Sequence, residues 1–218
     1  KLTIKSRKIG GRVTDDKILT VPTSVGTSVS YTLIPKAGKT AVIELENTSG
    51  LQLTVSDDNN KRIVINEKAF LPPLITLQPD KKLYLDITSK TNSKAVIKFK
   101  ANNLACGDTF FSSSGSMTAS TGQATCYWLL GSPTSLLDII YNDLSDGCLE
   151  IYSLSQKEPL YKKCNVTQDE VLPYIHLDQS YVKVMLGPNA KGFQASLSPT
   201  VSNLINLTNG SQKFISSL

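Results

Sequence analysis

Apolar residues in this chain recur at every second position, and no stretch of twelve or more residues repeats them at the helical spacing of 3.6. That period confines the chain to β-structure, because alternate side chains of a strand point to opposite faces. Ala41, Ile43 and Leu45 share one face while Glu44 and Glu46 share the other. Leu51, Leu53 and Val55 run up to the turn Asp57-Asp58-Asn59-Asn60, and Leu83, Leu85 and Ile87 form another strand. Ala95, Ile97, Phe99 and Ala101 oppose Lys94, Lys98 and Lys100. Leu2 and Ile4 begin the pattern, Val29 to Leu33 continue it, and Leu71-Pro72-Pro73-Leu74 interrupts it. Strands half-covered in this way need a second sheet over them, since apolar area hidden from water contributes about 25 cal/mol per Å². A β-sandwich fold follows, with 40% hydrophobic and 19% charged residues placing the chain well outside the disordered class.

The 218 residues suit two sandwiches better than one, and the second half of the sequence repeats the plan of the first. Tyr31-Thr32-Leu33-Ile34 matches Tyr127-Trp128-Leu129-Leu130, and Pro73-Leu74-Ile75-Thr76-Leu77 matches Pro173-Tyr174-Ile175-His176-Leu177. Leu83-Tyr84-Leu85 answers Tyr181 to Val184, and the strand ending at Ala101 answers the one through Phe193, Ala195 and Leu197. The expected division is 1–103, 104–200 and a tail at 201–218. Asn102-Asn103-Leu104-Ala105 is too short and too poor in Gly, Ser and Pro to be a flexible tether, so the sandwiches should pack together. In the tail, Val201, Leu204, Ile205 and Leu207 leave an edge strand or a short helix open.

All four cysteines, Cys106, Cys126, Cys148 and Cys164, fall in the second half. Their spacing lacks the close pairs of a zinc site and reads as two disulfides, for which three connectivities are open. The sequons at Asn47, Asn165, Asn206 and Asn209 agree with an oxidising, extracellular compartment. No apolar run is long enough to span a bilayer. Asn209-Gly210-Ser211 fits a lipid-anchor site only weakly, and an ordinary polar tail is the simpler reading. The expected location is therefore extracellular, either secreted or lipid-anchored at the cell surface.

The order Cys106-Gly107, Cys126-Tyr127-Trp128, Cys148-Leu149-Glu150-Ile151-Tyr152, Cys164 and Gly192-Phe193-Gln194-Ala195 resembles a CUB domain. It is closer still to the divergent CUB-like domains of nematode secreted and surface proteins. The resemblance implies two jelly-roll sandwiches, with Cys106 paired to Cys126, Cys148 paired to Cys164, and Trp128 in a core. Many CUB domains hold calcium with carboxylates around the third cysteine and in the loop before the closing Gly-Phe. Here Asn142, Asp143 and Asp146 precede Cys148, but Gly187-Pro188-Asn189 offers no carboxylate to complete six to eight oxygen ligands. No metal or other cofactor is expected.

No catalytic constellation is present in the sequence: His176, the only histidine, lies in a strand between Ile175 and Leu177, and hydrolase and phosphate-loop motifs are missing. Charge is uneven, with +8 over residues 1–100 and −3 over residues 101–218. Lys1, Lys5, Arg7, Lys8, Lys94, Lys98 and Lys100 form a candidate patch for an anionic partner, against the simpler reading of solubilising edge lysines. Nucleic acid is not expected, because no aromatic stacking platform accompanies the lysines. The sequence reading is a non-catalytic extracellular recognition module with a protein or glycan ligand, its oligomeric state open. The resemblance suggests host defence or a receptor for a microbial factor, with an adhesive matrix component or a lectin as alternatives.

Overall fold

The computed structural model describes residues 7–199 except 15, 23, 47, 49, 67, 93, 124, 132–134 and 178. The first-half strands are β1 (Arg7–Val13), β2 (Lys17–Pro22), β3 (Ser28–Leu33), β4 (Ala41–Glu46), β5 (Leu51–Ser56), β6 (Arg62–Ile65), β7 (Ile75–Leu77), β8 (Leu83–Ser89) and β9 (Lys94–Ala101). The second half adds β10 (Cys106–Phe110), β11 (Gly115–Ser120), β12 (Thr125–Leu130), β13 (Ser135–Asp143), β14 (Cys148–Ser153), β15 (Tyr161–Cys164), β16 (Ile175–Leu177), β17 (Ser180–Met185) and β18 (Gly192–Pro199). Among the described residues there is no helix. The expected strand at Leu2 and Ile4 and the tail 201–218 lie outside the described residues.

Each half forms one five-stranded and one four-stranded sheet. Their orders are β1-β3-β8-β5-β6 with β2-β9-β4-β7, then β10-β12-β17-β14-β15 with β11-β18-β13-β16. Adding nine to every strand of the first pair gives the second pair. The match extends to the one parallel pairing in each half, β1 with β3 and β10 with β12. The two halves thus share one strand order.

One correspondence needs correction. Tyr31 pairs with Leu85 as Trp128 pairs with Val182, so Tyr31 stands at the place of Trp128 and not of Tyr127. A slip of one residue turns a side chain to the opposite face. Tyr31 packs against the core of its own sandwich, whereas Tyr127 points out of its own.

The alternation read from the sequence fills both cores. Leu33, Ile43, Leu53, Val55, Leu85 and Phe99 are buried in the first, and Trp128, Leu149, Ile151, Val182, Val184 and Phe193 in the second. Trp128 is 2% exposed and meets Phe193 at 6.3 Å between ring centroids. Both disulfides join cross-strand partners, Cys106 to Cys126 across β10 and β12, and Cys148 to Cys164 across β14 and β15. This is the pairing that the CUB resemblance implied. Each closes a loop of 20 or 16 residues, for which the chain-entropy account gives about 3 kcal/mol. Gly107, at φ 104°, lies so close to β12 that a Cβ would fall 1.8 Å from the Tyr127 carbonyl oxygen. The tight parallel pairing beside the disulfide therefore requires glycine.

Replacing Trp128 by Ala should lower unfolding free energy by about 3 to 5 kcal/mol, because the buried indole leaves a cavity. Denaturant unfolding of the oxidised protein measures this, and an unchanged midpoint would place the indole outside the core.

Candidate functional site

The two sandwiches meet along a joint formed on the outer face of the second sandwich's five-stranded sheet. Strand β12 turns Cys126, Trp128 and Leu130 into its own core and leaves Tyr127 and Leu129 on the outer sheet face. Tyr152 and Tyr181 share that outer face and stack at 4.6 Å with 10° between their planes. Leu129, Leu154 and Tyr181 are buried in the first sandwich's core cluster, at 1%, 5% and 7% exposure. Opposite them stand β6, β7 and the segment between, with Ala69 and Leu71 packed against the same cluster. Gly131 abuts Ile63 so closely that a Cβ would fall 2.1 Å from its Cγ1.

Hydrogen bonds knit the edges of the joint. The Thr76 hydroxyl donates to the Cys106 carbonyl at 3.3 Å, the Thr109 hydroxyl to the Thr76 carbonyl at 3.1 Å, and Gln78 Nε2 to the Gly107 carbonyl at 2.5 Å. The Phe70 amide donates to the Leu154 carbonyl at 2.9 Å. Strands β7 and β10 thus satisfy each other's edges through side chains instead of a continuous ladder, one way of protecting an edge.

Beside the stacked tyrosines lies Glu150, whose side chain is only 4% exposed. Its carboxylate accepts from Lys162 and Lys183, each at 2.8 Å, and from the Tyr152 hydroxyl at 2.8 Å. Burial works against the charge, but these three donors outweigh it and hold the carboxyl down at about 2. Burial, reinforced by the hydrogen bond to Glu150, pushes the Tyr152 phenol far up.

Two crevices flank the joint. One, of about 270 Å³, is bordered by Val64, Asn66, Lys68, Ser153, Ser155 and Gln179. The other, of about 370 Å³, gathers the turns at Asp57 to Lys61 and Asp80 to Lys82 against Phe110, Phe111 and Ser112. Sequence reasoning read Asp57-Asp58 as ordinary turn chemistry, and Asp57 does accept the amides of Asn59 and Lys61 at 3.0 and 2.8 Å. Asp58 does more: it accepts the Tyr84 hydroxyl at 2.8 Å and faces Lys82 at 4.0 Å. That hydrogen bond raises the Tyr84 phenol, with burial and the Asp58 charge adding to it. Lys81 pairs with Asp108 and lies 5.8 Å from the Phe110 ring centroid. Burial raises the Asp108 carboxyl against the pull of Lys81. This cleft sets alternating charges beside two aromatic rings, a surface suited to a polar ligand with an apolar or sugar-ring face. The adjacent Phe110-Phe111 pair was the one signal in the sequence that could have marked it.

The other predicted site residues are dispersed. Lys98 is paired with Glu46 and lies 3.9 Å from Glu44, while Lys100 lies 3.7 Å from Glu44, so this stretch of β9 is balanced by β4. Lys1 and Lys5 lie outside the described residues, and the side chains of Arg7, Lys8 and Lys94 are not among those described. Asn165 is exposed in the left-handed region at φ 56°, directly after Cys164. Asn47, Asn206 and Asn209 fall outside the described residues. His176 is exposed on the edge strand β16. Near Cys148, Lys191 places its ammonium 3.4 Å from Asp143, and Asn189 donates to Asp146 at 2.6 Å. The Ser145 hydroxyl, with Lys191, lowers the Asp143 carboxyl despite its burial. Among the described residues, no group of three or more His, Cys, Asp or Glu side chains could hold a metal ion, and no helix is long and apolar enough to cross a membrane.

Glu150 makes stability acid-sensitive. Its folded carboxyl lies below the unfolded value of 4.5, so its contribution is full above that pH and is lost as pH falls towards 2. About 3 kcal/mol is involved. Glu150→Gln should cost a similar amount at pH 7 by leaving Lys183 without its charge partner, and should flatten the stability profile between pH 4.5 and 2. Urea unfolding across that range tests both.

No protein-family model matches the chain, and comparison with curated proteins yields no match. Among solved structures, the CUB1-EGF-CUB2 domain of human MASP-1/3 is 10% identical, with 84% of this chain and 99% of that one covered at a TM-score of 0.33. The CUB1-EGF-CUB2 domains of rat MASP-1 are 8% identical over 88% of this chain and 100% of theirs, at 0.30. The full extracellular region of zebrafish Gpr126/Adgrg6 is 11% identical over 91% of this chain and 37% of its own, at 0.25. Likenesses at these scores transfer no residue role and no ligand to this chain.

Proposed function

We propose that the protein is an extracellular, non-catalytic recognition module of two CUB-like sandwiches, divided within residues 102–105, that binds its ligand in the larger cleft at the joint. The observation that carries this reading is the convergence there of Phe110, Phe111, Lys81, Lys82, Asp58 and Asn59 from both sandwiches. A site assembled from two units is aligned only while they stay docked, and the buried contacts of Leu129, Leu154 and Tyr181 favour that docking. The oxidising compartment is supported by the pairing of all four cysteines, since such bonds persist outside the cytosol. The finer reading is a receptor for a microbial factor or a component of host defence at a secreted or lipid-anchored surface. It rests on the CUB-like order of motifs. Asn165 has an exposed position suited to carrying a glycan on the second sandwich.

The test is affinity capture from surface extract and from microbes with the glycosylated protein, before and after glycosidase treatment. A protein partner retained after deglycosylation supports the receptor reading, and capture of carbohydrate alone moves the assignment to a lectin. Lys82→Glu, at an exposed side chain, should weaken capture at least tenfold while changing stability by no more than about 0.5 kcal/mol. Capture unaffected by this charge reversal and by Phe111→Ala would remove the cleft from recognition.

A further inference from the structure

The cleft between the turns at 57–61 and 80–82 and the end of β10 constrains its occupant by charge. Asp57, Asp58 and Asp80 line it together with Lys61, Lys81 and Lys82, so its walls carry three charges of each sign. Asp108, beside the cleft, takes Lys81 as its ion partner. Asp57 holds two amides of its own turn, and Asp58 holds the Tyr84 hydroxyl while its second oxygen stands 4.0 Å from Lys82. An anionic ligand would meet the aspartates, and a cationic one the lysines. A neutral ligand dense in hydroxyls meets neither penalty, because each hydroxyl both donates and accepts. Two half-buried rings complete the walls. Phe110 packs against the second core and Phe111 against the first, and each keeps part of its ring at the cleft.

An extended peptide fits this cleft poorly. Peptide strands dock by adding to a free sheet edge, and the edge of β10 is taken by Thr76 and Gln78 of the first sandwich, whose side chains bond the Cys106 and Gly107 carbonyls. The cleft is walled by turns and side chains instead. At about 370 Å³ it lies near the lower end of the roughly 300 to 1,000 Å³ of small-ligand pockets. We infer that the cleft takes the end of an uncharged saccharide, whose ring C–H face packs against Phe110 and Phe111 and whose hydroxyls are shared among Asp58, Asn59, Lys61 and Lys82. Aromatic rings bury the apolar face of such a ligand while the polar groups orient it. This inference rests on the cleft being the ligand site. It names the moiety that site takes, whether the saccharide is free or carried on a protein factor.

The experiment presents the labelled full chain to an array of uncharged hexose and N-acetylhexosamine oligosaccharides with their sialylated and sulfated counterparts. Uncharged members should bind with an affinity nearly independent of salt, since no ion pair to the ligand is there to be screened. Asp58→Asn and Asn59→Ala, both at exposed turn positions, should each weaken that binding about tenfold by removing a hydrogen bond to the ligand. Phe111→Ala should weaken it as much or more, and the two turn variants carry the test if Phe111→Ala melts early. Salt-sensitive preference for the sulfated or sialylated members overturns the inference, as does uncharged-sugar binding that survives all three variants. If no member binds while Lys82→Glu and Phe111→Ala abolish capture of a protein, the saccharide is overturned and the cleft stands. If capture also ignores those variants, both fall. Where an uncharged member binds, its displacing a captured protein identifies a sugar carried on that protein, and its failing to do so identifies a free saccharide; both results support the inference.

Discussion

The stack of Tyr152 on Tyr181, backed by Leu129 and Leu154, is the contact on which the molecule's two-part architecture depends. It fills the side of the first sandwich that β6, β7 and the chain between them leave open. That sandwich consequently shares its core with its neighbour, whereas the second keeps a core of its own and closes it with both disulfides. The cleft on one flank of the joint exists because that contact fixes where the two units sit, whereas the Glu150 network beside it is built wholly from the second sandwich.

The two halves share a plan but differ on their outer faces. The strand order is shared, yet three outward positions of the two five-stranded sheets exchange a small hydroxyl side chain for a large aromatic or aliphatic one, and a fourth exchanges it for a carboxylate. Ser30, Thr32, Thr54 and Ser56 stand where the second sandwich has Tyr127, Leu129, Glu150 and Tyr152. Placing large apolar side chains on an outer face leaves the fold intact and supplies the surface that the joint buries. The buried Glu150 is the cost of that placement, tolerable because two ammonium groups and a phenol replace its water.

Much of the fold was legible along the chain. Alternation predicted β4, β5, β8 and β9 with the correct faces inward, and the Cys126-Tyr127-Trp128 motif placed the indole in a core. The matching of Pro73-Leu74-Ile75 with Pro173-Tyr174-Ile175 aligned β7 with β16. Where the reading slipped, by one residue at Tyr31, the cause was that Tyr127 is also aromatic; identity suggested one register and pairing with β8 and β17 set another. The sequence offered the lysines at 98 and 100 as a candidate anionic-partner patch beside the simpler reading of solubilising edge lysines; their pairing with Glu44 and Glu46 was not legible because those residues are over fifty positions away, although they are neighbours on the adjoining strand.

The sequence by itself determined the period, and with it the all-β class, the inward residues, the repeated plan and the confinement of both disulfides to the second half. These are local properties, written in which side of a strand each residue faces. Only the tertiary structure decided which outward face is covered. Tyr127 and Leu129 look along the chain like any residues turned away from their own core. Their burial arises because the other sandwich arrives there, a contact between strands that no local spacing encodes. The same long-range closure brings Asp58 and Lys82 to Phe110, and leaves Val171 and Tyr174 bare.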